Sequence, residues 1–202
     1  MKILLIGASG TIGQAVARAL SAHHQVVRVG RTKGEFQVDI ASKESIRWLF
    51  GRTAPFDAVI CAAGAARFAA LEKLKDEDFA FSLANKLMGQ VNVVRCGMDC
   101  INERGSFTLT SGVLANEPMP GSAAISLVNA GLEGFVRAAA LEMPRKIRVN
   151  VVSPPWVSET LKNMGKDPAG GMPAEQVAAA YMAAVEGQQT GQVINARDFK
   201  PK

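Results

Sequence analysis

One heptapeptide near the start constrains this chain more than any other stretch: Gly7-Ala8-Ser9-Gly10-Thr11-Ile12-Gly13. The apolar run Met1–Ile6 before it suits a buried parallel strand, and a helical pattern follows it at once. A strand, a glycine turn and a helix N-terminus in that order form a cradle for a phosphate group. The glycines let the backbone turn tightly and approach the anion, while unpaired helix N–H groups and the helix dipole supply positive potential.

Strand and helix signals alternate along the rest of the chain. Strands are expected at Gln25–Val29, near Phe36–Val38, and at Asp57–Ile60, Phe107–Thr110, Ile147–Val152 and Gln192–Asn195. Helices are expected from Ser42, whose hydroxyl suits a cap, from Asp76 to about Asn102, from Ser122 to just before Pro144, and over Ala174–Glu186. Phe79, Leu83, Leu87 and Val91 recur every four residues, the stripe of a helix lying on a sheet. This alternation predicts an α/β fold. It would be a doubly wound parallel sheet of about seven strands, Rossmann-like, forming one domain over residues 1–202. Ligands of such sheets bind beyond the carboxyl ends of the strands.

Composition excludes several classes. Hydrophobic residues make up 48% of the 202, ample for a large core and far from a disordered chain. No apolar run approaches the roughly 20 residues of a membrane span, and Met1–Ile6 breaks into glycines before a signal peptide develops. The charge of +5 is scattered and suits an anionic cofactor at least as well as a nucleic acid, so neither a nucleic acid nor a membrane is expected as a partner. Cys61, Cys96 and Cys100 form no CxxC pair and lack a nearby histidine in sequence. They read as buried thiols of a cytoplasmic protein with no metal site.

The loop after the second strand discriminates between dinucleotides. NAD sites usually place an acid about 20 residues beyond the glycines, to bond the ribose 2′-hydroxyl. Here Gly30-Arg31-Thr32-Lys33 stands there, with no acid before Glu35. A guanidinium matches a 2′-phosphate in charge and geometry, so NADP(H) is the expected cofactor. The plainer alternative is that Arg31 is a solvated surface charge.

At this point the chain resembles the short-chain dehydrogenase/reductase family over nearly its whole length. The glycine turn carries the resemblance, with Asp39-Ile40 after the third strand and Ala62-Ala63-Gly64 after the fourth. Leu132-Glu133-Gly134-Phe135, Ala140-Leu141-Glu142 and the segment Ile147–Pro154 extend it. The resemblance implies that Asp39 and Ile40 meet the adenine and that Ala62, Ala63 and Gly64 line the adenosine ribose. It further implies that Pro154 to Val157 flank the nicotinamide and that Thr160 sits near the carboxamide or pyrophosphate. It also implies a homodimer or homotetramer formed through the two long helices.

The family's tyrosine–lysine pair, one helical turn apart, is missing. Anchoring on Leu132-Glu133-Gly134 places Ile125 where the tyrosine belongs and Asn129 where the lysine belongs. The only tyrosine, Tyr181, lies in another helix and reads as a core residue. Ser111 falls one position before the family's serine, which is Gly112 here, and serves either as a candidate or as a loop cap. Lys86 matches the family's asparagine. Desolvated, its amine acts as a proton donor or an anchor for an anionic substrate; otherwise it snorkels at the helix rim. Arg67 is expected at the cleft mouth, and Leu161–Met172 as a short mobile lid. The expected function is an NADP(H)-dependent oxidoreductase acting on a small carbonyl or activated double bond, with Ser111, Lys86 and Asn129 as the catalytic candidates. A catalytically lapsed NADP(H)-binding protein is the alternative.

Overall fold

A computed structural model describes residues 1–199. The first strand, β1 (Lys2–Ile6), shows why its sequence is an unbroken apolar run. Leu4 and Ile6 point to one face of the sheet and Ile3 and Leu5 to the other, and all four are fully buried. A strand covered by helices on both faces has no solvent side on which to alternate polar residues.

The strands β2 (Gln25–Gly30), β3 (Phe36–Gln37), β4 (Phe56–Cys61), β5 (Ile101–Thr110), β6 (Arg148–Ser153) and β7 (Val193–Asn195) join β1. They form a seven-stranded sheet in the order β3-β2-β1-β4-β5-β6-β7, parallel at every pairing. The helices α1 (Thr11–Ser21) and α7 (Ala174–Glu186) cover one face through Val16, Leu20, Val177 and Tyr181. The other face carries α2 (Lys43–Thr53), α4 (Gly89–Gly97) and α5 (Ala123–Ala139), through Ile46, Phe50, Val94 and Leu132. Chain order reverses between β1 and β4, so a cleft opens beyond their carboxyl ends. The expected doubly wound fold is present. No helix among the described residues is long and apolar enough to cross a membrane.

Local predictions held where chemistry is short-range. Ser42 caps α2 by accepting from the Ser45 N–H at 3.2 Å. Three boundaries differ. The stretch expected as one helix to Asn102 is α3 (Asp76–Ser82), a π-helical turn over Leu83–Met88, and α4, which stops at Gly97. Gly97 ends it inside the core, where a Cβ would lie 2.6 Å from Phe50 Cζ. Ile101 and Asn102 belong to β5 instead, whose register with β4 shifts between Phe56 and Ala58. The α5 helix stops at Ala139, short of the expected end near Pro144. The segment expected as a mobile lid is folded: α6 (Ser158–Asn163) and a turn at Pro168–Gly170 are closed by hydrogen bonds from Ser158 N–H to Met172 O and from Met172 N–H to Trp156 O.

Candidate active site

The glycine turn has the shape an anion needs. Gly7 takes φ +89°, and a Cβ there would stand 2.6 Å from Ala62 O. Gly13 lets α1 pack onto the turn, because a Cβ there would fall 2.0 Å from Gly7 O. Gly10 is different. A Cβ there would meet only Gly7 O at 3.4 Å, so the fold itself tolerates a side chain at this exposed position. No side chain caps α1 and no acid lies in its first turn, which leaves its leading N–H groups free for phosphate oxygens. An open cradle and a glycine the fold does not require both fit a pyrophosphate.

Two cavities flank that turn and share Ala63 and Gly64. The smaller, about 230 Å³, is lined by Gly7, Arg31, Asp39 and Ile40 among the expected residues. Arg31 pairs with Asp39 at 3.6 Å while its side chain stays largely exposed, free to meet an anion at the rim. The larger, about 270 Å³, is lined by Ile12, Ala62, Lys86, Ser111, Asn129, Pro154, Val157 and Thr160. Ser9, Gly10, Thr11, Gly13 and Thr32 line neither, although Ser9 to Gly13 form the turn between them. Thr32 is exposed, and its carbonyl accepts from Gln37 Nε2 at 3.2 Å.

Two of the candidate side chains converge on the carboxyl end of β5. Lys86, carried by the π-helical turn, is 9% exposed, and its Nζ donates to the carbonyls of Thr110 and Ser111, each at 3.2 Å. Burial brings its amine down from 10.5 to about 8, against a small opposing effect of Cys61. Gly64, at φ +142°, permits this approach, since a Cβ there would lie 3.2 Å from Lys86 Cα. Asn129 is 2% exposed; its Nδ2 donates to Gly112 O at 3.4 Å, and its buried Oδ1 has no partner among the described residues. A Cβ at Gly112 would sit 3.1 Å from that Nδ2, so the amide occupies room that a serine there would need. Ile125, one turn before Asn129, lines the same cavity.

Ser111 is turned elsewhere. Its hydroxyl donates to Glu133 Oε1 at 3.2 Å, and Glu133 lines neither cavity. That buried carboxylate also accepts from Asn116 Nδ2 at 3.2 Å and pairs with Arg137 at 3.5 Å. Glu133 was missed from sequence, although Ile125, Asn129 and Glu133 recur at helical spacing and so share one face. Asn85, next to Lys86 in sequence, lines the smaller cavity instead. Arg67, expected at the cleft mouth, instead pairs with Asp78 at 3.3 Å and stacks over Phe81, and it lines neither cavity. Tyr181 is fully buried at hydrogen-bond distance, 2.7 Å, from Thr110 Oγ1, and burial pushes its phenol well up. Cys61 is likewise buried, its thiol pushed up to about 11 by desolvation. Among the described residues no His, Cys, Asp or Glu cluster can hold a metal ion.

Fold and site together define a nucleotide-binding α/β protein with a cleft for a dinucleotide and a small substrate. The family model described as enoyl-(acyl carrier protein) reductase matches residues 7–194. A mouse 3-oxoacyl-[acyl-carrier-protein] reductase is 30% identical, over 76% of this chain and 74% of its own. A solved protein from Listeria innocua is 40% identical with a TM-score of 0.93, covering 96% of this chain and 98% of that one. A small-chain dehydrogenase solved in complex with NADPH is 25% identical with a TM-score of 0.84, covering 96% and 95%. The chain belongs to the short-chain dehydrogenase/reductase family, whose members use nicotinamide cofactors and act on small molecules.

Proposed function

We propose that this protein is an NADP(H)-dependent oxidoreductase that uses Lys86 as its proton source, in place of the absent tyrosine–lysine pair. Its substrate is a small carbonyl or activated double-bond compound. The observation that carries this reading is the buried Lys86 amine at the end of β5, the only charged side chain lining the larger cavity among the described residues. NADP(H) is favoured over NAD(H) by Arg31 at the rim of the smaller cavity, where its only ion-pair partner among the described residues is Asp39, which follows β3. The NADPH complex of a relative supports the same choice.

When bound, the cofactor supplies or accepts a hydride. The chain holds the rest. The α1 N-terminus and Gly7 to Gly13 would hold the pyrophosphate, and Pro154, Val157 and Thr160 would flank the nicotinamide. Lys86 gives a proton to the substrate oxygen and recovers it from solvent. An amine near 8 populates both forms close to neutral pH, which suits a group that must donate and be reloaded. Asn129 offers its unpartnered Oδ1 to a hydroxyl of cofactor or substrate. Ser111, held by Glu133, acts mainly through the backbone it anchors.

The lapsed-binder reading draws on Ile125 at the tyrosine's place and on the Ser111 hydroxyl being committed to Glu133. An NADPH-oxidation assay over a carbonyl and enone panel separates the two. Turnover that falls by about 10²–10⁴ in Lys86→Ala supports the enzyme. Tight NADPH binding without turnover on any member supports the binder. A homodimer or homotetramer through the long helices belongs to the same proposal, supported by exposed Met88 and Leu127 on them. So does a cytoplasmic location, in keeping with three free thiols.

A further inference from the structure

We propose that the substrate is a small 2-oxo acid, or the matching 2-hydroxy acid, whose carboxylate and adjacent oxygen share the one free N–H of Lys86. This deepens the dehydrogenase reading and rests on it. The argument begins from an imbalance of charge. Among the described residues no carboxylate lies within ion-pair distance of Lys86, and no acid lines the cavity. The titratable side chain that acts on it electrostatically, Cys61 on β4, is held protonated by burial. A buried ammonium with no counter-charge is costly, and an anionic ligand removes that cost.

The geometry narrows the anion. Carbonyls of Thr110 and Ser111 take two of the three ammonium hydrogens, leaving one. One N–H cannot satisfy a phosphate dianion, but it matches a singly charged carboxylate. In a 2-oxo acid one carboxylate oxygen lies beside the oxo oxygen, so both accept the same N–H. The site therefore anchors the acid and protonates the reacting oxygen with one group. In the reducing direction C2 gains a hydride from the reduced nicotinamide cofactor, and the C=O π pair moves to oxygen. That oxygen takes the proton from Nζ, which is left as a neutral amine. The cavity, about 270 Å³ including room for the nicotinamide, limits the substrate to a few carbons. A second positive charge lies near it: Lys166 Nζ is 5.7 Å from the ring centroid of Trp156, a lining residue. A cation there steers an anion inward.

The test compares oxamate, an unreactive 2-oxo acid isostere, with its neutral diamide oxamide, by titration calorimetry on the NADPH-saturated protein. Oxamate is expected to bind at least about tenfold more tightly, as befits a charge-assisted hydrogen bond. Lys86→Met, with its fold checked by circular dichroism, should bring the two to parity. A kinetic arm sets pyruvate and 2-oxobutanoate against their methyl esters, with only the acids expected to oxidise NADPH. Equal affinity for oxamate and oxamide, no oxamate binding, or esters turned over as well as acids each overturns the proposal. Ester turnover would leave the dehydrogenase reading standing. Failure of the wild-type protein to bind NADPH at all would overturn that reading itself.

Discussion

Replacing Lys86 by methionine should make the protein more stable. The side chain is 9% exposed and its charge has no carboxylate partner, so folding strips water from an ammonium. A fall from 10.5 to about 8 corresponds to roughly 3 kcal/mol of destabilisation at neutral pH. Methionine keeps the aliphatic stem and drops the charge. It also drops two hydrogen bonds, but Thr110 O retains Gln90 Nε2 at 2.9 Å. Only Ser111 O loses its donor, at a cost of about 1 kcal/mol. The net expectation is a gain of about 2 kcal/mol at pH 7, or roughly 4–8 °C in Tm for a chain of this size. Urea unfolding of both proteins across pH measures it. Because the folded amine has the lower value, it sheds its proton near pH 8 while the unfolded lysine keeps its own until about 10.5. Unfolding takes up a proton in that window, so wild-type stability rises with pH there. The advantage of the variant should be constant below pH 8 and close between 8 and 10.5. A variant less stable than wild type at pH 7, or a gap that ignores pH, would refute the picture of an uncompensated buried ammonium.

Three further outcomes are expected. Arg31→Ala should weaken NADPH by about 10–100-fold relative to NADH, the worth of one charge-assisted contact, read by Trp156 fluorescence; equal losses for both dinucleotides would sink the selectivity argument. Tyr181→Phe should cost only about 1 kcal/mol in urea unfolding and leave NADPH binding intact, because Thr110 Oγ1 keeps its bond to Cys61 O at 2.7 Å. Gly97→Ala should cost about 1–3 kcal/mol, since its Cβ would press on the rings of Phe50 and Phe107, and a neutral result would mean that this packing relaxes.

Where a signal is local, the chain announced it. The run Met1–Ile6 and the alternation after it revealed the sheet, because a strand buried on both faces must be apolar throughout. The Gly7 to Gly13 turn, Ser42 as a cap and the span of α7 are equally short-range. Helix ends were less legible. The stop of α4 depends on Phe50 and Phe107, which lie 47 residues upstream and 10 downstream of Gly97 and meet it only after folding. The π-helical turn at Leu83–Met88 left no mark in the stripe of apolar residues, which reads the same through it.

The candidate site divides along the same line. Sequence alone determined that a glycine turn joins the first strand to the first helix, that a parallel sheet carries it, and that Ile125 and Asn129 lie one helical turn apart on one face. These follow from residue identity and spacing within one element. Only the tertiary structure decided what the polar residues do. It brought Lys86 from one helix and Asn129 from another onto successive carbonyls at and just beyond the end of β5, turned Ser111 onto Glu133, and drew Arg67 away to Asp78. The direction of a hydroxyl and the dryness of an amine depend on elements far apart in the chain, and only packing brings them together.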